Sequence, residues 1–170
     1  MKTKAIKTTE TVYNTEIDIP LEARKELIEL SNQQLADTFD LYSQTKQAHW
    51  NVKGIHFYQL HKLFDDVAEA VEPFVDTIAE RVTALGGVAM GTARMAAAQS
   101  TLAEFPSNAV EGHEHLQALV DRFAAYGAST RAASRRAAEL GDPTTEDLYL
   151  EVSREVDKNL YFLESHLQGN

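Results

Sequence analysis

His49–Glu80 reads HWNVKGIHFYQLHKLFDDVAEAVEPFVDTIAE, and the spacing of its imidazoles and carboxylates organises the chain around it. From His61 onward the stretch is one helix by its apolar period. On that helix His61 and Asp65 are four residues apart, and so are Asp76 and Glu80. At about 100° per residue all four side chains fall within an arc of about 100°. The two pairs are nevertheless separated along the axis: Asp65 to Asp76 is a rise of about 16 Å, so one metal site cannot use both pairs of a single straight helix. The four positions are, however, symmetric about the midpoint between Ala70 and Val71. Two copies running antiparallel across a twofold axis at that point would set His61 against the partner's Glu80 and Asp65 against the partner's Asp76. The spacing predicts two metal sites, each shared between two subunits.

Working outward, the chain before this helix has its own helical period. Pro20 suits a first helical turn, and Leu27, Leu30, Leu35, Phe39 and Tyr42 recur at helical spacing from Leu21 to about Val52. Gly54 breaks this helix, and the next runs from about His56 to Leu85, stopped by Gly86-Gly87. Pro73 lies inside it, almost at the proposed crossing point, and a kink there would alter the straight-helix pairing. A connection of about 20 residues follows, long for a compact domain, within which AQSTLAEF (98–105) suggests a short helix. Asn108 with Glu111 resembles a capping box and predicts a third long helix from there to Leu140, with Gly141 as its stop. Asp142-Pro143 reads as N-cap and first turn of a fourth, ending near Leu167. Four long helices with two short turns and one long crossover make an all-α four-helix bundle over 18–168, preceded by a flexible basic tail over 1–17. Because the first two helices are antiparallel and joined by a tight turn, His49 falls beside His61 and Asp65.

Composition bounds the chemistry. The 170 residues suffice for one domain with a sizeable core. With no cysteine, disulfides, thiolate catalysis and zinc-finger sites are excluded. A metal site must use His and carboxylates, a set that suits iron, manganese or zinc. No apolar run spans a bilayer and no apolar segment follows the N-terminal lysines, so a cytoplasmic location is expected. A net charge of −10 argues against nucleic-acid binding by the general surface and favours attraction of cations. Plainer readings stand beside the metal one. A lone helical His is ordinarily structural, and an i, i+4 carboxylate pair is ordinarily a solvated face. Glu69 and Glu72 show that the helix carries other acids, and Asp66 points about 100° away from Asp65.

KQAHWNVKG, then LHKLFD, then DTIAERVTALGGVAMGT and SREVDKNLYFLE resemble the Dps family, the mini-ferritins that protect DNA in starved cells, over roughly Leu27 to Glu164. The resemblance implies a ferritin-like bundle with a short helix in the crossover, assembled as a hollow homododecamer. It implies a di-iron ferroxidase centre between twofold-related subunits: His49, His61 and Asp65 from one chain, Asp76 and Glu80 from the other. Zinc or another divalent metal is expected to be able to substitute there. The implied activity is oxidation of Fe(II), with hydrogen peroxide preferred to dioxygen, storage of ferric mineral, and protection of DNA from oxidative damage. The alternative is a nucleoid DNA-binding protein whose iron oxidation is secondary. A conventional ferritin would place its di-iron site inside one bundle on Glu-x-x-His motifs, and no such motif occupies a bundle-core position here.

Further residues carry weaker expectations. Trp50 is a core residue or an electron donor beside His49, with Tyr42 and Tyr161 as lesser candidates. Asp142, Glu146 and Asp147, with Glu151 nearby, either line an iron-uptake pore at a threefold axis or complement a helix dipole. Lys2, Lys4 and Lys7 either solubilise the terminus or touch DNA phosphates, weakly and with strong salt dependence.

Overall fold

The computed structural model describes residues 11–168. Its elements are α1 (Leu21–Asn51), α2 (Phe57–Ala84), α3 (Ala93–Gln99), α4 (Gly112–Glu139) and α5 (Pro143–Ser165). The only extended pairing among the described residues is an isolated bridge between Lys53 and Glu111. The C-terminal ends of the four long helices fall within two residues of the sequence-derived bounds.

α1 packs chiefly on α2, and α4 on α5; the pairs meet through α1 against α4 and α2 against α5. Contacts at the ends fix the directions. Arg81, late in α2, binds Asp142 at the start of α5, and Arg136, late in α4, binds Glu26, early in α1. At the opposite end, Lys53 of the α1–α2 turn bridges Glu111 before α4. α2 and α4 therefore run parallel, and residues 85–111 cross the length of the bundle between them. This is the ferritin-like connection.

Apolar residues at helical spacing close the core: Leu35 and Leu41 of α1, Phe64, Val67 and Val71 of α2, Phe123 and Tyr126 of α4, and Tyr149 and Val152 of α5. The seam also holds polar groups in satisfied pairs. The Tyr149 hydroxyl donates to Ser31 (2.8 Å), and the Tyr126 hydroxyl pairs with Thr38. Burial pushes the Tyr126 phenol up to about 12, although bonds with Thr38 and Thr130 oppose it. Pro73 leaves α2 unbroken. It lies on an exposed face, as does Glu69, whose carbonyl loses the bond, so water can satisfy the carbonyl.

Two bounds differ from expectation. The short helix lies at Ala93–Gln99, not 98–105. Thr92 caps it by accepting from the Met95 N–H, and the alanines that follow are strong helix formers. Ser100 and Thr101 cannot join it, because they donate to Asp40 and Asp37 of α1 and hold the chain extended. α4 starts at Gly112 rather than Asn108. The Val110 carbonyl is taken by the Lys53 N–H (3.0 Å), and the Glu114 carboxylate accepts from the N–H groups of Val110 and Glu111.

The expected tail is also partly fixed. The Tyr13 N–H donates to the Gly86 carbonyl (2.7 Å), and Arg24 Nη1 donates to the carbonyls of Tyr13 and Leu85. Val12 and Ile19 pack on a second core cluster of Leu27, Ile28, Val82, Leu85 and Ala137. Gly86 combines a φ of 90° with a close approach, since a Cβ there would collide with the Tyr13 carbonyl oxygen.

Candidate metal centre

The α1–α2 turn, with Gly54 at φ 103°, folds α2 back along α1. It stacks the His49 and His61 rings with centroids 3.8 Å apart and planes inclined by 21°. Each ring bonds the other's backbone: His49 Nδ1 donates to the His61 carbonyl (2.7 Å) and His61 Nδ1 to the His49 carbonyl (2.8 Å). A carbonyl oxygen can only accept, so both Nδ1 atoms carry hydrogen. In the neutral rings both Nε2 atoms keep their lone pairs for a metal. Such outer bonds are what orient ligating histidines. Phe57 flanks the His61 ring at 5.1 Å.

Asp65 lies one turn beyond His61, with Oδ1 3.8 Å from His49 Nδ1. The same oxygen accepts from Lys46 Nζ at 2.6 Å. The bond from Lys46 holds the Asp65 carboxyl below the usual carboxylate range, against an opposing effect of burial. Asp65 is thus an anion at neutral pH, with Oδ2 left for another partner. Lys46 was not singled out from sequence. Its signal was its place three residues before His49, on the same helical face.

Asp76 and Glu80 are exposed farther along α2. One chain brings His49, His61 and Asp65 together and leaves these two apart. Among the described residues of a single chain, no three His, Asp or Glu side chains form a cluster able to hold a metal. The donors present, imidazole nitrogen and carboxylate oxygen, fit Fe(II) chemically.

Trp50 does not pack in the core. It is 62% exposed and lines a cleft of about 630 Å³ between α1 and the crossover, with Gln47, Ala97, Leu102 and Phe105. Tyr42 is half-buried and Tyr161 exposed. Of the acidic group at the start of α5, Asp142 is buried. It accepts from the Thr144 and Thr145 N–H groups, from the Thr145 hydroxyl and from Arg81 Nη2 (2.9 and 2.7 Å). Those bonds do not leave it facing solvent, whereas Asp147 and Glu151 are exposed and Glu146 is half-buried. Lys2, Lys4 and Lys7 lie outside the described residues. No described helix is long and apolar enough to cross a membrane.

The comparisons agree with this architecture. The ferritin-like domain family matches residues 28–169. A DNA protection during starvation protein of Agrobacterium fabrum is 40% identical over 156 residues, covering 92% of this chain and 96% of its own. DpsC from Streptomyces coelicolor, 32% identical, superposes with a TM-score of 0.90 over 98% of each chain. A Dps protein from Vibrio cholerae O1, described as a member of a broad superfamily of ferritin-like diiron-carboxylate proteins, is 25% identical. It superposes with a TM-score of 0.85 over 91% of this chain and 97% of that one. With a bundle of this connectivity, and relatives matched over nearly its whole length, the chain belongs to the Dps family of ferritin-like proteins.

Proposed function

We propose that this chain is a ferroxidase and iron-storage mini-ferritin. It oxidises Fe(II), with hydrogen peroxide preferred to dioxygen, keeps the ferric mineral inside a shell of twelve copies, and thereby protects DNA from oxidative damage. The observation that carries this reading is the reciprocal bonding of His49 and His61, each Nδ1 on the other's carbonyl. It fixes two Nε2 donors side by side without using them in the fold.

Fe(II) is the substrate. His49, His61 and the free oxygen of Asp65 hold it from one chain, and the partner subunit's Asp76 and the partner subunit's Glu80 complete the set across a twofold axis. Two Fe(II) ions held together each give up one electron. One peroxide takes both electrons and two protons, its O–O bond breaks, and two waters leave without release of a hydroxyl radical. Lys46 keeps Asp65 ionised before loading. The locked rings present their donors with little reorganisation.

Iron oxidation in the absence of DNA tests this reading. With peroxide, wild type is expected to oxidise Fe(II) at least about tenfold faster than His61→Ala, the scale on which disturbed metal sites lose function. An unchanged rate in His61→Ala would remove the assignment, and a stable monomer by native mass measurement would remove the shared site.

DNA contact falls to Lys2, Lys4 and Lys7, since the body carries net negative charge. The full chain is expected to retard DNA in a salt-sensitive way, and a chain lacking residues 1–9 to lose that retardation. Equal retardation by both chains would place the contact elsewhere.

A further inference from the structure

Among the buried titratable groups of the described residues that the ferroxidase reading leaves unused, one stands without a hydrogen-bond partner. His115 is 1% exposed, and neither ring nitrogen has a hydrogen-bond partner. Its ring lies between two aromatic rings: Phe105 of the crossover, stacked at 5.8 Å and 22°, and Phe64 of α2 at 6.4 Å. An unpartnered buried polar group has a cost that an apolar residue would avoid.

We propose that His115 is an acid-sensitive latch: a neutral imidazole wedged between α2 and the crossover, whose protonation releases the segment 105–111 from the bundle. Three features converge on this. The pocket is walled by Phe64 and Phe105, and neither ring nitrogen makes a hydrogen bond in it; the acceptor close by, the Val110 carbonyl, is already taken by the Lys53 N–H. His115 is the fourth residue of α4, within the first turn, where the positive end of the helix dipole disfavours a second positive charge. The crossover is also the wall with no helical backbone bonds of its own beside His115. Near His115 it is fixed by the half-buried Phe105, by the Lys53–Val110 backbone bond, by the bonds from the Val110 and Glu111 N–H groups to Glu114, and by bonds from Arg122 and Gln44 to the carbonyls of Ala103 and Glu104. The α2 and α4 walls, by contrast, belong to the main core.

The surrounding charges do not reverse this. α4 supplies Glu114, whose carboxylate acts on His115 but is exposed and engaged by the N–H groups of Val110 and Glu111, and also His113, exposed. The α1–α2 turn supplies Lys53, exposed and of like sign. α2 and the crossover present Phe64, Phe105 and the Val110 carbonyl. Burial, the largest influence, pushes the imidazole below its ordinary range, against the Glu114 charge and the Val110 carbonyl, which both favour the charged form.

The sign follows from linkage. An opened His115 titrates near 6.5, and the latched one lower, so the open form binds more protons. The latch holds at pH above about 6.5 and weakens as pH falls toward the latched value, about tenfold in the open-to-closed ratio for each unit between the two.

The test uses the assembled full-length protein between pH 7.5 and 5. Amide-exchange protection of residues 105–111 is expected to fall in wild type, by at most about thirtyfold at pH 5, the limit set by an open-state value near 6.5. The emission of Trp50, which shares a cleft with Phe105, is expected to shift with it. His115→Leu and His115→Gln, neither of which titrates, are expected to keep their protection across that range. An equal fall in wild type and a variant, or none in wild type, overturns the proposal. So does a wild-type His115 ring that titrates at or above 6.5 by NMR, a measurement that does not depend on either variant folding. The ferroxidase assignment is unaffected by any of these outcomes.

Discussion

Shells assembled from a mixture of His61→Ala and Glu80→Ala chains are expected to recover iron oxidation that neither variant shows alone. In a twofold interface residue i of one chain meets residue j of the other, and j meets i. A dimer with one chain of each kind therefore contains one site with both lesions and one with neither. With random pairing about half the dimers are mixed, so roughly a quarter of the sites are intact. A site built within one chain would gain nothing from mixing, since every chain would still carry its own lesion. Initial rates of Fe(II) oxidation, measured after dissociation and reassembly, separate the two outcomes. Recovery to roughly a quarter of wild type is expected; rates no higher than those of the separate variants would refute sharing. The experiment addresses what the single-chain geometry poses most directly. Asp76 and Glu80 share a helix with His61 and Asp65, yet lie several turns away from them.

Replacing Asp142 by Ala is expected to be the most damaging single change at the other end of the bundle. The carboxylate is 1% exposed and closes the first turn of α5 through two backbone N–H groups, while binding Arg81 of α2. Its loss removes an N-cap and leaves the largely buried Arg81 without its partner. A stability loss of about 3 kcal/mol is expected, near the lower end for breaking a buried pair because Arg81 keeps some contact with water. Asp142→Asn, which can still cap, should lose less. Burial raises the Asp142 carboxyl, but the bonds from Thr145 and Arg81 outweigh it and hold it below its ordinary range. The folded protein thus binds this proton less readily than the unfolded chain, which takes it up near pH 3.9. The contribution is fully present above that value and is lost as pH falls through the folded one. Urea midpoints at fixed protein concentration check both variants, and an Asp142→Ala midpoint equal to wild type would show that the pair contributes nothing net.

The bundle was legible because its signals are local. Apolar periodicity, the Gly86-Gly87 and Gly141 stops and the Asp142-Pro143 start act within a few residues of where they stand. The short helix was misplaced for the opposite reason. Whether Ser100 and Thr101 continue a helix depends on Asp37 and Asp40, some 60 residues earlier in the chain. The start of α4 likewise depends on Lys53, which takes the Val110 carbonyl.

By itself, the sequence determined the helices, their order, the long crossover and the symmetric spacing of His61, Asp65, Asp76 and Glu80, because helical periodicity converts residue number directly into angle and height. Only the tertiary structure decided how those groups are held. It set His49 and His61 on each other's carbonyls, tied Lys46 to Asp65, buried Asp142 against Arg81, exposed Trp50 and enclosed His115 between two rings. Apart from the exposure of Trp50, each of these is a meeting of groups from different elements, fixed by packing and hydrogen-bond geometry that no spacing along one helix encodes.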